Sequence, residues 1–129
     1  MNKKYILSEN DVVIDAREGI TRKKVTDIME VTGFTLNEMG KFVHLTPRTL
    51  QRKKPSERLD SAISEKVLLI QNLYNKGSKV LGNIENFKDW MSTPNIAFDK
   101  AKPKDFLDTF SGIDFLMHEL GRIEHGFVF

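Results

Sequence analysis

A dense run of hydrogen-bond donors lies between residues 46 and 54 of this 129-residue sequence, and we call it the donor run. Arginine pairs with guanine edges, glutamine pairs with adenine, and threonine and lysine contact bases or phosphates. The run therefore indicates nucleic-acid binding, and the alternative interpretation is a solvated basic face. The candidate DNA-binding residues are Thr46, Arg48, Thr49, Gln51, Arg52, Lys53 and Lys54.

The distribution of charge favours a polyanionic partner for this segment. The chain has a formal net charge of +2, but residues 20–55 contain eight Lys or Arg and only three Asp or Glu. The flanking residues 1–19 and 56–129 have net charges of −1 and −2. A local positive field of this kind attracts nucleic acid.

Catalytic and metal-binding chemistry is not indicated. The chain has no cysteine, which excludes disulfides and thiolate metal sites and fits a reducing compartment. His118 and His125, with Glu119 and Glu124 beside them, are separated by about 10 Å along a helix axis, too far to share one ion. The sequence contains no phosphate-binding glycine loop and no nucleophile motif. We therefore expect no enzymatic activity, no cofactor and no metal.

The elements that position the donor run form a predicted helix-turn-helix. Thr35 and Glu38 have the spacing of a capping box, which begins one helix. Thr46 and Pro47 are typical of the start of a second helix, which carries the donor run and is the predicted recognition helix. Gly40 allows the two helices to approach closely. The predicted apolar seam between them contains Met39, Val43, Leu45 and Leu50.

The turn between these helices contains His44 where glycine is common. A residue at this point tends to adopt positive φ, for which glycine is preferred. Histidine is among the better tolerated alternatives. The turn is therefore predicted to form at some energetic cost, and the second helix is predicted to run from Pro47 to about Lys54.

Apolar residues recur with helical spacing through most of the remaining chain. Alternation with a period of two is weak and limited to residues 11–14, so we predict an all-α fold. The further predicted helices are one around Val25–Thr32 that stops at Gly33, a long one from about Leu59 to Val80, one around Ile84–Met91, a short one after Pro103, and a last one with a cap at Ser111–Asp114 that ends at Gly126.

Three blocks in the last third of the sequence resemble a known family. They are Trp90 to Asn95, Pro103 to Thr109, and Leu120 to Phe129. The Xre/MbcA/ParS-like antitoxins have W-L-x-T-P-N-x-A-L, P-x-x-L-L-D-T and L-x-R-I-x-H-G in this order and at this spacing. The segment R-T-L-Q-R precedes the blocks at the expected distance, so the resemblance covers residues 19–129.

The resemblance implies a helix-turn-helix unit followed by a small helical toxin-binding domain, as in RES–Xre type II toxin–antitoxin pairs. In these pairs the cognate RES-domain toxin degrades NAD, and the C-terminal end of the antitoxin covers the toxin's active-site cleft. The pair represses its own operon through the DNA-binding half of the antitoxin. The toxin-binding residues that this implies are Gly121, Arg122, Glu124, His125, Gly126, Phe127, Val128 and Phe129.

The sequence departs from the family pattern at a few positions. Phe98 stands where the family usually has leucine, and residues 99–102 replace a glycine-rich turn. His44 replaces glycine in the helix-turn-helix. The replacements at residues 99–102 and at His44 affect the predicted shape of two turns.

The aromatic residues Phe127 and Phe129 also indicate an interaction site on physical grounds. In a monomer they would form an exposed apolar patch, and buried Phe side chains are effective interface anchors. The alternative is that they fold back onto the core.

A second functional hypothesis is a solitary helix-turn-helix regulator whose C-terminal domain only dimerises, packing both side chains within the homodimer. A third, a small hydrolase or transferase, lacks a recognisable nucleophile, base and orienting group.

The expected organisation has four parts. Residues 1–18 are an N-terminal arm, residues 19–58 a helix-turn-helix DNA-binding region, residues 59–82 a connecting long helix and residues 83–129 the toxin-binding domain. No signal peptide or membrane-spanning run is predicted, so we expect a cytoplasmic protein. The expected partners are a RES-domain toxin, operator DNA and a second copy of the chain. A second copy is expected because operator half-sites lie about 34 Å apart.

Overall fold

The computed structural model describes residues 8–126, which form seven α-helices and two 3₁₀ helices. Within this range the only β-type pairings are two isolated bridges, so the prediction of an all-α fold is confirmed. The 3₁₀ helices are Ile96–Phe98 and Pro103–Phe106. The α-helices are α1 (Glu9–Glu18), α2 (Arg22–Thr32), α3 (Leu36–Val43), α4 (Pro47–Arg52), α5 (Ser61–Leu81), α6 (Ile84–Ser92) and α7 (Phe110–Glu124).

The described chain divides into two compact units, residues 8–71 and residues 72–126. The N-terminal unit contains α1 to α4 and the first half of α5, and the C-terminal unit contains the second half of α5 with α6, the 3₁₀ helices and α7. No helix in the described residues has the length and apolar character needed to cross a membrane.

The N-terminal unit begins with a helix for which the sequence gives little signal. The Ser8 side chain accepts a hydrogen bond from the Asp11 N–H and begins α1, and Gly19 ends it at a positive φ of 84°. Only Val12 and Ala16 of this helix are buried. Residues 11–14, the one segment with weak alternation in the sequence, therefore lie in a helix.

Hydrogen bonds between residues far apart in sequence hold the N-terminal unit together. The N–H of Ile20 donates to the Ser64 hydroxyl at 2.9 Å, and the N–H of Leu59 donates to the Ile20 carbonyl at 2.9 Å. The buried Lys66 ammonium donates to the Phe42 carbonyl at 3.1 Å, at the end of α3. These bonds join α5 and the residues before it to the segment between α1 and α2, and join α5 to the end of α3.

The C-terminal unit is built around aromatic side chains. Tyr74 of α5 packs edge-on against Phe87 of α6, with ring centroids 4.9 Å apart, and Phe87 stacks on Trp90 at 5.8 Å. Trp90 in turn contacts Phe98 at 5.7 Å. The aliphatic part of this core includes Leu73, Met91, Leu107, Ile113, Leu116 and Leu120.

The last helix begins two residues earlier than the sequence pattern predicted, because its cap is Thr109. The Thr109 hydroxyl accepts a hydrogen bond from the Gly112 N–H at 2.9 Å, and α7 starts at Phe110. The prediction of a cap at Ser111 is therefore wrong, since Ser111 already lies in the first turn. Gly112 has no Cβ to collide with the Phe106 carbonyl, which allows the chain to enter α7 at this point.

Candidate functional site

The helix-turn-helix is formed by α3 and α4, and its first helix has the predicted capping box. The Thr35 hydroxyl accepts from the Glu38 N–H at 3.0 Å, and the Glu38 carboxylate accepts from the Thr35 N–H at 3.0 Å. At the other end, His44 has left-handed backbone angles of φ 60° and ψ 41°, and its N–H donates to the Gly40 carbonyl. The predicted positive φ at His44 is confirmed.

The turn after α3 requires glycine at position 40. A Cβ on Gly40 would lie 2.5 Å from the Leu45 carbonyl oxygen, closer than real Cβ atoms approach other atoms. The Leu45 N–H also donates to the Gly40 carbonyl at 2.9 Å. The absence of a side chain therefore lets the main chain turn back over α3 and start α4.

Two sets of contacts hold α4 in place. Leu50 is completely buried on one side of the helix, and its carbonyl accepts from the Arg22 Nε at 2.8 Å. The segment after α4 is fixed to the start of α2, because the Arg22 N–H donates to the Glu57 carbonyl at 2.8 Å and the Lys23 N–H to the Pro55 carbonyl at 3.0 Å. Arg22 positions the candidate recognition helix, a role that sequence reasoning missed because it lies 28 residues before Leu50.

The solvent-facing side of α4 carries the polar side chains that were expected there. Arg48, Gln51 and Arg52 are all exposed, and their spacing of three and four residues puts them on one face, away from Leu50. We call these three residues the α4 face. Thr49 is exposed beside it and is tied to the cap, since the Thr46 hydroxyl accepts from its N–H at 3.0 Å.

The two lysines of the donor run do not belong to the helix, which corrects the predicted length of α4. The helix ends at Arg52, and Lys53 has extended backbone angles of φ −71° and ψ 137°. Lys53 is half-buried, and the Lys54 N–H donates to the Glu57 carboxylate at 2.7 Å. Pro55 disfavours a helical conformation for the residue before it, which is consistent with this early end.

In the C-terminal unit, α6 is followed by a tight turn. The Asn95 side chain accepts from the Ala97 N–H at 2.9 Å, and the Asn95 and Ala101 main chains form an isolated bridge. Asp99 and Lys100 adopt positive φ values of 57° and 70°, although neither is glycine. The turn therefore keeps a left-handed backbone without the glycines that are usual in the family that the sequence resembles.

An aromatic cluster connects this turn with the second 3₁₀ helix and with α7. The buried Phe98 ring lies 5.4 Å from Phe106 and 5.3 Å from Phe115, between ring centroids. Phe106 and Phe115 are 5.7 Å apart, so the three rings form a triangle. The larger Phe98, where the family usually has leucine, is therefore accommodated by ring-to-ring packing.

The end of α7 contains three of the eight predicted toxin-binding residues, Gly121, Arg122 and Glu124, and His125 and Gly126 follow it directly. Arg122, Glu124, His125 and Gly126 are exposed. Glu124 forms an ion pair with Lys76 at 3.4 Å, and Arg122 forms one with Glu119 at 3.5 Å.

His125 is the C-cap of α7, and it contacts the Gly121 carbonyl. The Gly121 carbonyl lies 2.9 Å from the His125 Nδ1 and accepts from the His125 N–H at 3.0 Å. Gly121 itself is half-buried within α7. The remaining predicted residues, Phe127, Val128 and Phe129, lie outside the described residues.

The histidines of α7 have structural partners in the described chain. His118 Nδ1 lies 3.5 Å from an Asp114 carboxylate oxygen, one turn earlier in the helix. Among residues 8–126 there is no group of three or more His, Cys, Asp or Glu side chains arranged to hold a metal ion. The α4 face and the end of α7 are the two candidate binding surfaces of the described residues.

Comparison with known proteins finds two family models that match this chain. The model described as the antitoxin Xre-like helix-turn-helix domain matches residues 11–72. The model described as the antitoxin Xre/MbcA/ParS C-terminal toxin-binding domain matches residues 77–126. These ranges coincide closely with the two compact units of the fold.

Solved structures include one with the same fold. A chain in the crystal structure of the M. tuberculosis MbcT-MbcA toxin-antitoxin complex is similar to this chain, with a TM-score of 0.62 and 20% sequence identity. The match covers 84% of this chain and 96% of that chain. No curated protein matches the sequence significantly.

Proposed function

Because this chain belongs to the Xre/MbcA/ParS-like antitoxins, we propose that it binds a RES-type, NAD-degrading toxin and occludes the toxin's active site. We further propose that it represses its own operon by binding DNA. The observation that carries the proposal is the presence, in one chain and in this order, of a helix-turn-helix domain at residues 11–72 and a toxin-binding domain at residues 77–126. The chain acts by binding and has no catalytic step of its own.

Operator binding is assigned to the α4 face. Arg48, Gln51 and Arg52 are exposed on one side of a helix whose other side is fixed by Leu50. Bidentate arginine and glutamine contacts discriminate between base pairs in the major groove. A single short helix reads few base pairs, so repression requires a homodimer whose two α4 helices are about 34 Å apart.

Toxin binding is assigned to the end of α7 and the residues that follow it. Arg122, Glu124 and His125 supply charged and polar groups, and the aromatic tail at Phe127 and Phe129 supplies apolar anchors. The fold shared with a chain of the M. tuberculosis toxin-antitoxin complex supports a protein partner of this kind. We further propose a cytoplasmic location, where the chain would meet both partners.

The toxin-binding proposal is tested with a RES-domain protein, which the proposal expects to be encoded in the same operon. NAD consumption by the purified protein is measured while this chain is added from zero to a twofold molar excess. We expect inhibition that is complete near stoichiometric amounts. Full NAD consumption at saturating antitoxin would contradict occlusion.

The DNA-binding proposal has an independent test. Fluorescence anisotropy measures binding of the chain to the region upstream of its own operon, with a shuffled duplex as the control. We expect tighter binding to the upstream region and a strong decrease in affinity with salt. If the chain binds this DNA as a homodimer yet leaves NAD consumption unchanged, it is a solitary regulator and the antitoxin proposal fails.

A further inference from the structure

Four glycines of the described chain lie within α-helices: Gly40, Gly77, Gly112 and Gly121. Glycine within a helix is less favourable than alanine, because it loses more conformational freedom on folding. Each of the four glycines therefore raises the question of what a side chain would disturb at that position.

Contacts within the chain explain three of the four. A Cβ at position 40 would collide with the Leu45 carbonyl, and one at position 77 would overlap the Phe87 ring. A Cβ at position 112 would collide with the Phe106 carbonyl. In each case the glycine makes room for another part of the same chain.

Gly121 is different, because, apart from its two chain neighbours and the nearby backbone of α7 itself, no heavy atom of the described residues lies within 4 Å of the position that its Cβ would occupy. Gly121 lies four residues before the C-cap His125, inside α7, so it is not a capping glycine. Neither the packing of the described residues nor the backbone conformation requires a glycine here.

The missing side chain leaves a notch on the surface of α7. Helical spacing puts Met117 and His118 on one side of the notch and Glu124 and His125 on the other. His118, Glu124 and His125 are exposed, and Met117 is half-buried. The notch therefore lies on a solvent-accessible, partly polar face of the helix.

We infer that Gly121 is a point of close approach, where the main chain of the toxin lies directly against α7. This inference rests on the proposed function and adds to it the physical role of one residue. The notch lies within residues 77–126, the range matched by a toxin-binding domain model, and next to the residues assigned to the toxin interface. Close packing of the toxin against α7 explains why position 121 is glycine, although no contact within the described residues requires a glycine there.

The test compares Gly121→Ala and Gly121→Leu with the wild-type chain. Dissociation constants for the purified RES-domain protein are measured by calorimetry, and melting temperatures by differential scanning fluorimetry. Gly121→Ala is expected to raise the melting temperature of the free chain by about 2–4 °C, because alanine favours the helix. It is also expected to weaken toxin binding by roughly 10- to 100-fold, with a larger loss for leucine, because added methyl groups overpack the interface.

Two control variants separate this effect from general damage. Ser61→Ala, at an exposed helical position in the N-terminal unit, should leave toxin affinity unchanged. Gly112→Ala makes the same chemical change in the same helix. Because a Cβ at position 112 would collide with the Phe106 carbonyl, this variant should have a lower melting temperature than wild type. Opposite shifts at positions 112 and 121 are the expected pattern.

The outcomes distinguish this inference from the proposed function. If wild type binds the RES-domain protein and both Gly121 variants bind it equally well, the close approach is wrong and the antitoxin function stands. The inference also fails if Gly121→Ala lowers the melting temperature, or if it disrupts only a homodimer measured by light scattering. If wild type does not bind the RES-domain protein, the proposed function itself fails.

Discussion

The Leu45 carbonyl oxygen passes over Gly40 so closely that it would lie 2.5 Å from a Cβ at that position. The same two residues are joined by a hydrogen bond of 2.9 Å from the Leu45 N–H to the Gly40 carbonyl. This crossing sets the direction in which the chain leaves α3 and enters α4. The orientation of the α4 face therefore depends on a residue that has no side chain.

Replacing Gly40 with alanine is expected to destabilise the N-terminal unit by about 1–3 kcal/mol, the usual range for overpacking a close contact. Urea unfolding measures the loss of stability, and anisotropy measures the accompanying loss of operator affinity. Asn37→Ala, at an exposed position of the same helix, is the control and should have little effect on either. Wild-type stability for Gly40→Ala would mean that the turn does not need this contact.

Removing both arginines of the α4 face should weaken operator binding without affecting inhibition of the toxin. For Arg48→Ala with Arg52→Ala we expect affinity for the upstream region to fall by roughly 10- to 100-fold. The slope of log affinity against log salt should decrease by about 1 for each lost phosphate contact. Inhibition of NAD consumption by the RES-domain protein should match that of wild type.

The control for this double variant removes two positive charges elsewhere. Arg17 and Lys79 are both exposed and lie outside α4, so replacing both with alanine tests the effect of net charge alone. Only a small loss of affinity is expected. If the α4 double variant binds the operator as tightly as wild type does, α4 is not the recognition helix.

The aromatic triangle predicts a graded effect at Phe98. Phe98→Leu should cost about 1 kcal/mol of stability, because it loses the ring contacts but restores the residue usual in the family. Phe98→Ala should cost about 3–5 kcal/mol, as large core truncations do. Ile96→Ala, two residues away and 85% exposed, is the control and should be nearly neutral. Equal stability for Phe98→Ala and wild type in urea unfolding would contradict the packing.

The helix-turn-helix could be predicted closely because its signals are local. The capping box of Thr35 and Glu38 and the cap at Thr46 depend on residues three apart. His44 was expected at positive φ because of its place in the turn, and it has φ 60°. These features follow from interactions between residues that are close in sequence, so they can be predicted without knowledge of the rest of the fold.

The features that could not be predicted depend on long-range contacts or on weak patterns. Only Val12 and Ala16 of α1 are buried, whereas Val13 and Ile14 are more than 40% exposed, so the apolar spacing of a helix is obscured. The role of Arg22 depends on a partner 28 residues away. Similarly, the cap of α7 is Thr109 and not Ser111, and the close approach of Gly112 to the Phe106 carbonyl beside this cap depends on the folded chain.

The most direct test of the central claim is co-purification of the tagged chain with the RES-domain protein of the same operon. A version that ends at Leu120, lacking all the assigned toxin-binding residues, is compared with the full-length chain. Operator binding by the truncated version serves as the control that the N-terminal unit is folded. We expect a stoichiometric complex with the full-length chain and none with the truncated version. An equal yield of complex from both would contradict the toxin interface assigned to the end of α7, and no complex from either would contradict the antitoxin function.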